Sequence, residues 1–268
     1  MLKIVWIGGN HPRHLYYLSK INEIFPIDGA IIEIRDGDTS SRVPEIPIDL
    51  NENDKKNFSI HFENRFKAEE KYFSNLKTPT CPVLHIKKEE LNSNKTVKFI
   101  QSISPDIVLT FGCHMIKDPL MSKLPINTIN LHGGLSPRYR GVATMFWPFY
   151  FLEPNHVGAT FHYLTSIPDA GSIIHQSVPK LEYGDKIHDV ACKTIISASE
   201  DIVKLLSIFE KDGDWVKVDQ KRSSRNFLDS DFKSEHLRVI YNLFNDDIVD
   251  QFLSGKIKSL PPKLVTQF

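Results

Sequence analysis

The sequence has few cysteines and no long hydrophobic run. Its three cysteines, Cys81, Cys113 and Cys192, lie far apart and form no CxxC pair. This pattern argues against a disulfide framework and favours a reducing, cytoplasmic compartment. No stretch approaches the roughly 18 apolar residues of a membrane helix. The short apolar segment Leu2–Gly9 is expected to be a strand rather than a signal peptide.

The chain also lacks net charge. Its 33 basic and 33 acidic residues cancel, so no basic surplus indicates a nucleic-acid partner. Metal-ligand spacing is absent as well, and we expect no metal. Five histidines, His114, His156, His162, His175 and His188, have no ligand-like spacing, and core or surface positions are expected for most of them.

What is present is an alternation of apolar runs and helical patterns. Strands are predicted at residues 2–9, 29–36, 82–87, 106–112, 126–132, 157–165 and 171–181. Helices are predicted at 13–25, 59–76, 94–105 and 185–209, with Asp185 as the cap of the last, and residues 37–56 are predicted to be a long loop. The pattern favours an α/β fold, a Rossmann-like, doubly wound and mostly parallel sheet. We expect a main domain at residues 1–210 and a small C-terminal subdomain at residues 211–268.

One strand end carries an unusual motif, NLHGGLSPRYRG at Asn130–Gly141. Asn130 and His132 alternate along the strand, so they face the same side. An amide can donate to a developing oxyanion, and an imidazole can move a proton at neutral pH. Asp169, in a downstream turn, can orient a histidine or stabilise its charged form. From these residues alone, a structural strand end and an ordinary Asx turn stay open as alternatives.

Taken together, Asn130-x-His132, LSPRYRG and GATFHYLTSIPDAGSII resemble the formyltransferase family that uses N10-formyltetrahydrofolate. The resemblance implies a catalytic triad of Asn130, His132 and Asp169. It also implies transfer of a formyl group to a primary amine through a tetrahedral intermediate. The sequence departs from the family at Gly134, because it has His-Gly-Gly-Leu where many members have His-x-Ser-Leu.

The resemblance also implies where the co-substrate binds. The segment TFGCHMIKDPL, which follows a predicted strand, corresponds to the family's pterin-binding loop. We therefore expect N10-formyltetrahydrofolate to contact Gly112, His114, Met115 and Ile116. A strand-to-helix turn with ordinary apolar anchors is the structural alternative.

The acceptor is expected to be a nucleotide-linked amino sugar, used in polysaccharide biosynthesis. Trp147 lies in an aromatic segment after the triad loop, which resembles the sugar N-formyltransferase subgroup. GGNHPRH at the first strand end can hold a phosphate or a carboxylate, and helical spacing brings His61, Arg65, Glu69 and Tyr72 together. Helix capping and a solvated amphipathic face are the structural alternatives. The expected acceptor contacts are Asn10, His11, Arg13, Arg65, Tyr72 and Trp147.

Two other functions are compatible with the same residues. Another small amine is an alternative acceptor, and a catalytically silent relative that binds a sugar nucleotide is an alternative from a different class. A dinucleotide-dependent oxidoreductase is disfavoured, because IGGNHPRH is not a G-x-G-x-x-G motif. A homodimer through the C-terminal part is also expected.

Overall fold

The computed structural model describes residues 2–35, 44–74, 76–77, 79–220 and 226–268. Its main feature is a seven-stranded sheet. The strands are β1 (Ile4–Gly9), β2 (Gly29–Glu33), β3 (Val83–Ile86), β4 (Ile107–Phe111), β5 (Thr128–His132), β7 (Ala159–Tyr163) and β8 (Ile173–Ser177). Two further strands, β6 (Arg140–Gly141) and β9 (Asn226–Phe227), pair with each other.

The sheet has the order β3-β2-β1-β4-β5-β7-β8. The first five strands in this order are parallel, and β7 runs antiparallel to both of its neighbours, β5 and β8. This confirms the predicted doubly wound, mostly parallel α/β fold. In such sheets the strand order reverses at a switch point, here between β1 and β4, and ligands bind outside the carboxyl ends of the strands there.

Helices cover both faces of the sheet. They are α1 (Pro12–Ile24), α2 (Glu52–Tyr72), α3 (Asn94–Ile103), the short α4 (Trp147–Tyr150), α5 (Ile187–Asp212) and α6 (Ile248–Leu253). In β1, Ile4 and Trp6 pack towards α1 and α5, whereas Val5 and Ile7 pack towards α3. Both faces of a strand are therefore apolar, as expected of a buried parallel sheet. No helix in the described ranges is long and apolar enough to cross a lipid bilayer.

Two predicted boundaries were wrong. The predicted loop at residues 37–56 overlaps α2, which begins at Glu52 because the Asn51 side chain accepts a hydrogen bond from the Asp54 amide at 3.0 Å. Lysines and asparagines obscure the apolar period in this first turn. Residues 36–43, which end the predicted second strand and begin the loop, lie outside the described residues.

The second error is the cap of α5. The helix begins at Ile187, and its first turn is capped when the Asp189 carboxylate accepts from the Lys186 amide at 3.1 Å. Asp185 instead accepts from the Glu182 amide at 2.8 Å and pairs with Lys193. The aspartate chosen from the sequence therefore stabilises the preceding turn.

The C-terminal segment shares its core with the rest of the chain. Trp215 packs on Phe209 in the core of the main sheet, and Phe227 stacks on Trp147. The last residues cover β8, the edge strand: the Gln176 amide donates to the Val265 carbonyl, and Gln267 donates to the Ile174 carbonyl. These contacts cross the predicted boundary at residue 210, and a separate subdomain stays a prediction.

Candidate functional site

Strand pairing brings three polar side chains into one row at the carboxyl end of the sheet. Asn130 on β5 lies opposite Thr110 on β4 and opposite His162 on β7. The Thr110 hydroxyl donates to Asn130 Oδ1 at 2.8 Å, and Asn130 Nδ2 lies 3.0 Å from His162 Nε2. The amide is thus held at both ends.

The tautomer of His162 determines whether the Asn130 amide has an N–H group free to bind a ligand. His162 Nδ1 lies 2.9 Å from the carbonyl oxygen of Tyr163, which can only accept, so Nδ1 carries the proton. His162 Nε2 is therefore the acceptor for Asn130. Because a primary amide has two N–H groups, one N–H of Asn130 stays available for a ligand oxygen.

His132 is 8% exposed and is also held from two sides. Its Nε2 lies 2.9 Å from the Tyr139 carbonyl oxygen, so Nε2 donates the hydrogen bond. Its Nδ1 lies 3.3 Å from Asp169 Oδ1. In the neutral imidazole, Nδ1 is therefore the free proton acceptor, and a proton taken up there faces the Asp169 carboxylate.

Asp169 has a left-handed backbone, with φ at 50°. The Gly141 amide donates to its Oδ2 at 3.2 Å, and the Arg140 guanidinium donates to the neighbouring Pro168 carbonyl at 2.8 Å. Two residues of the Asn130–Gly141 motif therefore fix the turn that presents this carboxylate. A left-handed backbone is uncommon for a residue other than glycine, and such residues cluster at functional sites.

The electrostatics of the pair favour a neutral imidazole beside an ionised carboxylate. Burial lowers the pKa of His132 below its usual value, although Asp169 opposes this effect. Burial would raise the pKa of Asp169, but His132, His162 and the Gly141 amide lower it to about 2. At neutral pH, His132 can thus accept a proton and Asp169 can stabilise the resulting cation.

The triad separates two cavities. The larger, of about 450 Å³, is called the histidine cavity because His14, His61, His132 and His188 line it. The smaller, of about 210 Å³, is called the loop cavity because it is lined by residues 113–116. Asn130 and Asp169 line the loop cavity while His132 lines the histidine cavity. A ligand in either cavity therefore reaches part of the triad.

Three of the four predicted folate contacts line the loop cavity. They are His114, Met115 and Ile116, and the same cavity is also lined by Leu164, Ile167 and Pro168. Gly112 does not line it. Its φ is 70°, and a Cβ there would collide with the His14 ring, so this position requires glycine for the turn into the loop.

A buried carboxylate braces this loop. Glu33, at the end of β2, is fully buried, and its Oε2 accepts from the His114 amide at 3.0 Å. Its Oε1 also contacts His114 Nδ1. Arg35 lies 3.5 Å from Glu33 Oε1 and donates to the Gly112 carbonyl at 2.7 Å. The sheet thus holds both ends of the Gly112–His114 segment.

We expect Glu33→Ala to raise the Kd for the folate that the sequence predicts in the loop cavity about tenfold or more. The variant removes hydrogen bonds to a charged acceptor, which contribute roughly 1.5–3 kcal/mol each. Glu33→Gln, which can still accept from the His114 amide, should restore most of the affinity. Exposed Glu89→Ala is the control. An unchanged Kd for that folate in Glu33→Ala would show that the brace does not position the loop.

The histidine cavity has a charged end. Arg13 at the start of α1 and Arg65 on α2 both line it and both pair with buried Glu69. His11 completes this cluster, because it accepts from Arg65 at 2.9 Å and lies 3.0 Å from Glu69. Burial would raise the pKa of Glu69, but Arg13, His11 and Arg65 hold it well below its usual range. Two guanidinium groups and one carboxylate leave one positive charge.

Of the predicted acceptor contacts, only Arg13 and Arg65 line a cavity, and His11 is linked to the histidine cavity through its contact with Arg65. Asn10 accepts from the Arg35 amide at 3.3 Å, and Tyr72 packs against the main core beside Lys71. Trp147 is 3% exposed, and its Nε1 donates to the carbonyl of Val142, a residue that lines the histidine cavity. Trp147 thus supports the cavity wall and has no direct access to a ligand.

Several residues at the site have roles that the sequence did not predict. His162 orients Asn130, and His188 lines the histidine cavity, although core or surface positions were expected for most such histidines. Thr110 and Glu33 were not singled out. For Thr110 the sequence contains one signal of a functional role, which is its position: like Asn130, it lies near the carboxyl end of a predicted strand.

The departure at Gly134 has a local cause. A Cβ at this position would lie 2.5 Å from the Tyr139 carbonyl oxygen, 2.7 Å from Thr144 Cβ and 2.8 Å from His132 Nε2. A side chain would therefore push apart the hydrogen bond that fixes His132. A serine side chain at this position therefore has no space.

We expect Gly134→Ser to destabilise the protein by about 1–3 kcal/mol through overpacking. It should also lower kcat by tenfold or more, because a small displacement of a catalytic group is costly. Thermal unfolding and kcat measure the two effects. Gly133→Ala is the matched control, because its Cβ would meet only the flexible end of Met145, at 3.0 Å. Equal behaviour of the two variants would contradict this account.

Comparisons with known proteins agree with this geometry. Residues 42–205, more than half of the chain, match the formyl transferase family. A bifunctional polymyxin resistance protein, ArnA, of Wigglesworthia glossinidia brevipalpis is 32% identical over 123 residues, which cover 44% of this chain and 18% of that protein. The matched part is thus a small share of that relative.

Two solved structures show the same fold. Phosphoribosylglycinamide formyltransferase of Anaplasma phagocytophilum has a TM-score of 0.56 at 14% identity, covering 85% of this chain and 98% of that one. An N-formyltransferase of Helicobacter canadensis, solved with folinic acid and dTDP-3-aminofucose, has a TM-score of 0.55 at 18% identity, covering 90% and 80%. With the family match over residues 42–205, this chain belongs to the formyl transferase family.

Proposed function

We propose that this protein transfers a formyl group from N10-formyltetrahydrofolate to the primary amine of a nucleotide-linked deoxyamino sugar. The observation that carries the proposal is the position of the triad between two cavities. His132 lines one cavity and Asn130 and Asp169 line the other, while His132 and Asp169 are 3.3 Å apart. An amine in one cavity and a formyl group in the other would meet at these side chains.

The lining of the loop cavity suits the pterin end of the folate. Its lining combines apolar side chains, Met115, Ile116 and Ile167, with polar groups at the triad end. Met115 is 46% exposed, so it offers apolar surface to a ring. The folate supplies an activated formyl group when bound. His114 and the neighbouring loop residues hold the pterin in this proposal, with Glu33 bracing them.

Asn130 and His132 have different roles in the proposed reaction. The free N–H of Asn130 donates to the formyl oxygen as that oxygen gains negative charge, which is the interaction that lowers the barrier. His132 accepts the proton that the attacking amine loses, at Nδ1, because Nε2 is held by the Tyr139 carbonyl. Asp169 stabilises the imidazolium until the proton passes to the departing nitrogen.

The histidine cavity supports a sugar nucleotide as the acceptor. Its charged end carries one surplus positive charge from Arg13, Arg65 and Glu69, which suits a diphosphate. Its other lining includes Phe62, Phe146 and Phe232, whose rings suit stacking on a base. Neighbouring folds support the same class, because the Helicobacter canadensis structure contains dTDP-3-aminofucose. Of the predicted acceptor contacts, we retain His11, Arg13 and Arg65.

A panel assay tests this proposal. The protein is incubated with N10-formyltetrahydrofolate and UDP-, dTDP- or GDP-linked amino sugars, and mass spectrometry looks for the gain of one formyl group. We expect formylation of at least one sugar nucleotide and none of glycinamide ribonucleotide. If glycinamide ribonucleotide alone were formylated, the acceptor would not be a nucleotide-linked amino sugar. Binding of a sugar nucleotide without formyl transfer would indicate a catalytically silent protein. A cytoplasmic location and a homodimer stay predictions.

A further inference from the structure

A third cavity, of about 340 Å³, lies between α2, the start of α5 and the C-terminal segment that contains the π-helix Val239–Leu243. We call it the asparagine cavity, because asparagines make up five of its ten lining residues. These asparagines are Asn53, Asn57, Asn64, Asn242 and Asn245. The triad and the two cavities beside it do not include any of them.

The asparagines of α2 are costly for the helix that carries them. Asn53, Asn57 and Asn64 are spaced by four and seven residues, so they lie on one face. Asparagine lowers helix stability by up to about 0.7 kcal/mol relative to alanine, because its side chain competes for backbone hydrogen bonds. Three such residues on one face indicate that this face needs amide groups.

The asparagine side chains orient one another through hydrogen bonds. Asn242 Oδ1 accepts from Asn53 Nδ2 at 2.9 Å and from Asn57 Nδ2 at 2.8 Å. Asn242 Nδ2 in turn donates to Asn53 Oδ1 at 3.3 Å and to Asn57 Oδ1 at 3.5 Å, so Asn242 is used within the network. Because a primary amide has two N–H groups, Asn57 keeps a second N–H for another partner. The network thus fixes the orientation of donors and acceptors along the cavity wall without exhausting them.

A buried carboxyl group adds a second, independent observation. Asp246 lines the cavity and is 7% exposed. Its Oδ1 accepts from the Ile187 amide at 3.1 Å, but its Oδ2 is buried without a hydrogen-bond partner. An unsatisfied buried polar atom is costly and calls for a ligand or a water molecule. Burial also raises the pKa of Asp246 to about 7, so near neutral pH the group can donate or accept.

The charges of the cavity do not favour an anion. Lys186 lines it but pairs with Asp247, and Lys56 shares the wall with Asp246. This differs from the charged end of the histidine cavity, where arginines exceed carboxylates. Amide donors and acceptors beside a carboxyl group are instead suited to hydroxyl groups, which both donate and accept.

We propose that the asparagine cavity binds a neutral polyhydroxylated ligand of monosaccharide size, such as a pyranose, through its side-chain amides and Asp246. Its volume lies at the lower end of the roughly 300–1,000 Å³ typical of ligand pockets. The site is separate from the proposed formyl-transfer site but adjacent to it. Tyr241 lines the asparagine cavity, and its hydroxyl lies 3.0 Å from Nδ1 of His61, which lines the histidine cavity.

Saturation-transfer NMR on the full chain tests the proposal, with glucose, galactose and N-acetylglucosamine as probes and no folate present. We expect saturable binding of at least one sugar, with a Kd in the millimolar range. Asn242→Ala should weaken it about tenfold or more, because it releases the amides of Asn53 and Asn57. Exposed Asn94→Ala, at the start of α3, is the matched control and should bind as the unmodified protein does.

Two results would overturn the proposal. One is the absence of saturable binding by all three sugars. The other is binding that survives Asn242→Ala but is lost in Arg65→Gln, which would place the sugar in the histidine cavity. Circular dichroism checks that Asn242→Ala is folded, and exposed Lys56→Ala is the second variant if it is not. The probes carry no nucleotide and no free amine, so formyl transfer is tested separately from this site.

Discussion

His132→Ala should lower kcat for formyl transfer by about 10²- to 10⁴-fold, the usual contribution of a general base. The alanine removes Nδ1, the one atom placed to take the amine proton beside Asp169 in this proposal. Binding of either substrate should change little, because His132 is one of many residues that line the histidine cavity and does not line the loop cavity. His85→Ala, at an exposed histidine on β3, is the control. Activity close to that of the unmodified protein would exclude His132 as the base.

The pH profile gives an independent check of the same pair. A base must be neutral to act, so activity should fall as pH drops through the pKa of His132. Because burial lowers that pKa, this acidic limb should lie below pH ~6.5, the ordinary value for histidine. Asp169→Asn removes the charge that opposes this effect, so the limb should move to still lower pH. The acceptor amine titrates in the same way in the unmodified protein and in Asp169→Asn, so it cannot cause a difference between them. An acidic limb at the same pH in both proteins would contradict the assignment of His132 as the base.

Asn130→Ala should lower kcat by about 10²- to 10³-fold, as expected when one donor to a developing oxyanion is lost. The interaction forms fully only in the transition state, so KM for donor and acceptor should stay within a few fold. Steady-state kinetics separate the two effects. A large rise in KM with unchanged kcat would instead show that Asn130 serves ground-state binding.

The Thr110→Val variant tests whether catalysis needs the Asn130 amide to be oriented, in addition to being present. The variant keeps Asn130 but removes the hydroxyl that donates to its Oδ1 at 2.8 Å. We expect a smaller fall in kcat than in Asn130→Ala, because His162 still holds the other end of the amide. A fall as large as that of Asn130→Ala would mean that the Thr110 contact alone positions the donor.

The sequence predicted the parts of the site that depend on local pattern. Period-two alternation placed Asn130 and His132 on one face of a strand end. The strand was predicted at residues 126–132, and β5 begins two residues later and ends at the same residue. The apolar runs predicted the sheet because buried parallel strands are apolar on both faces. Resemblance, rather than spacing, supplied Asp169, since nothing local to its turn requires it to meet a histidine.

What the sequence could not predict depends on contacts between distant segments. His162 meets Asn130 only because β7 runs antiparallel to β5 in a particular register, and a shift of one residue would reverse its face. Glu33 reaches the loop at His114 across 81 positions. Trp147 illustrates the opposite error, because an aromatic residue near a catalytic motif is equally suited to the core, and tertiary packing decides between the two.

The covering of β8 has a consequence for how the chain folds. The hydrogen bonds that close this sheet edge join residues 89 to 93 positions apart, at Gln176–Val265 and Ile174–Gln267. Contacts of such separation form late, because the entropy of closing a long loop must be overcome first. Until then β8 presents unpaired backbone groups that can pair with another chain. Aggregation during refolding should therefore depend on protein concentration even though the finished fold protects that edge.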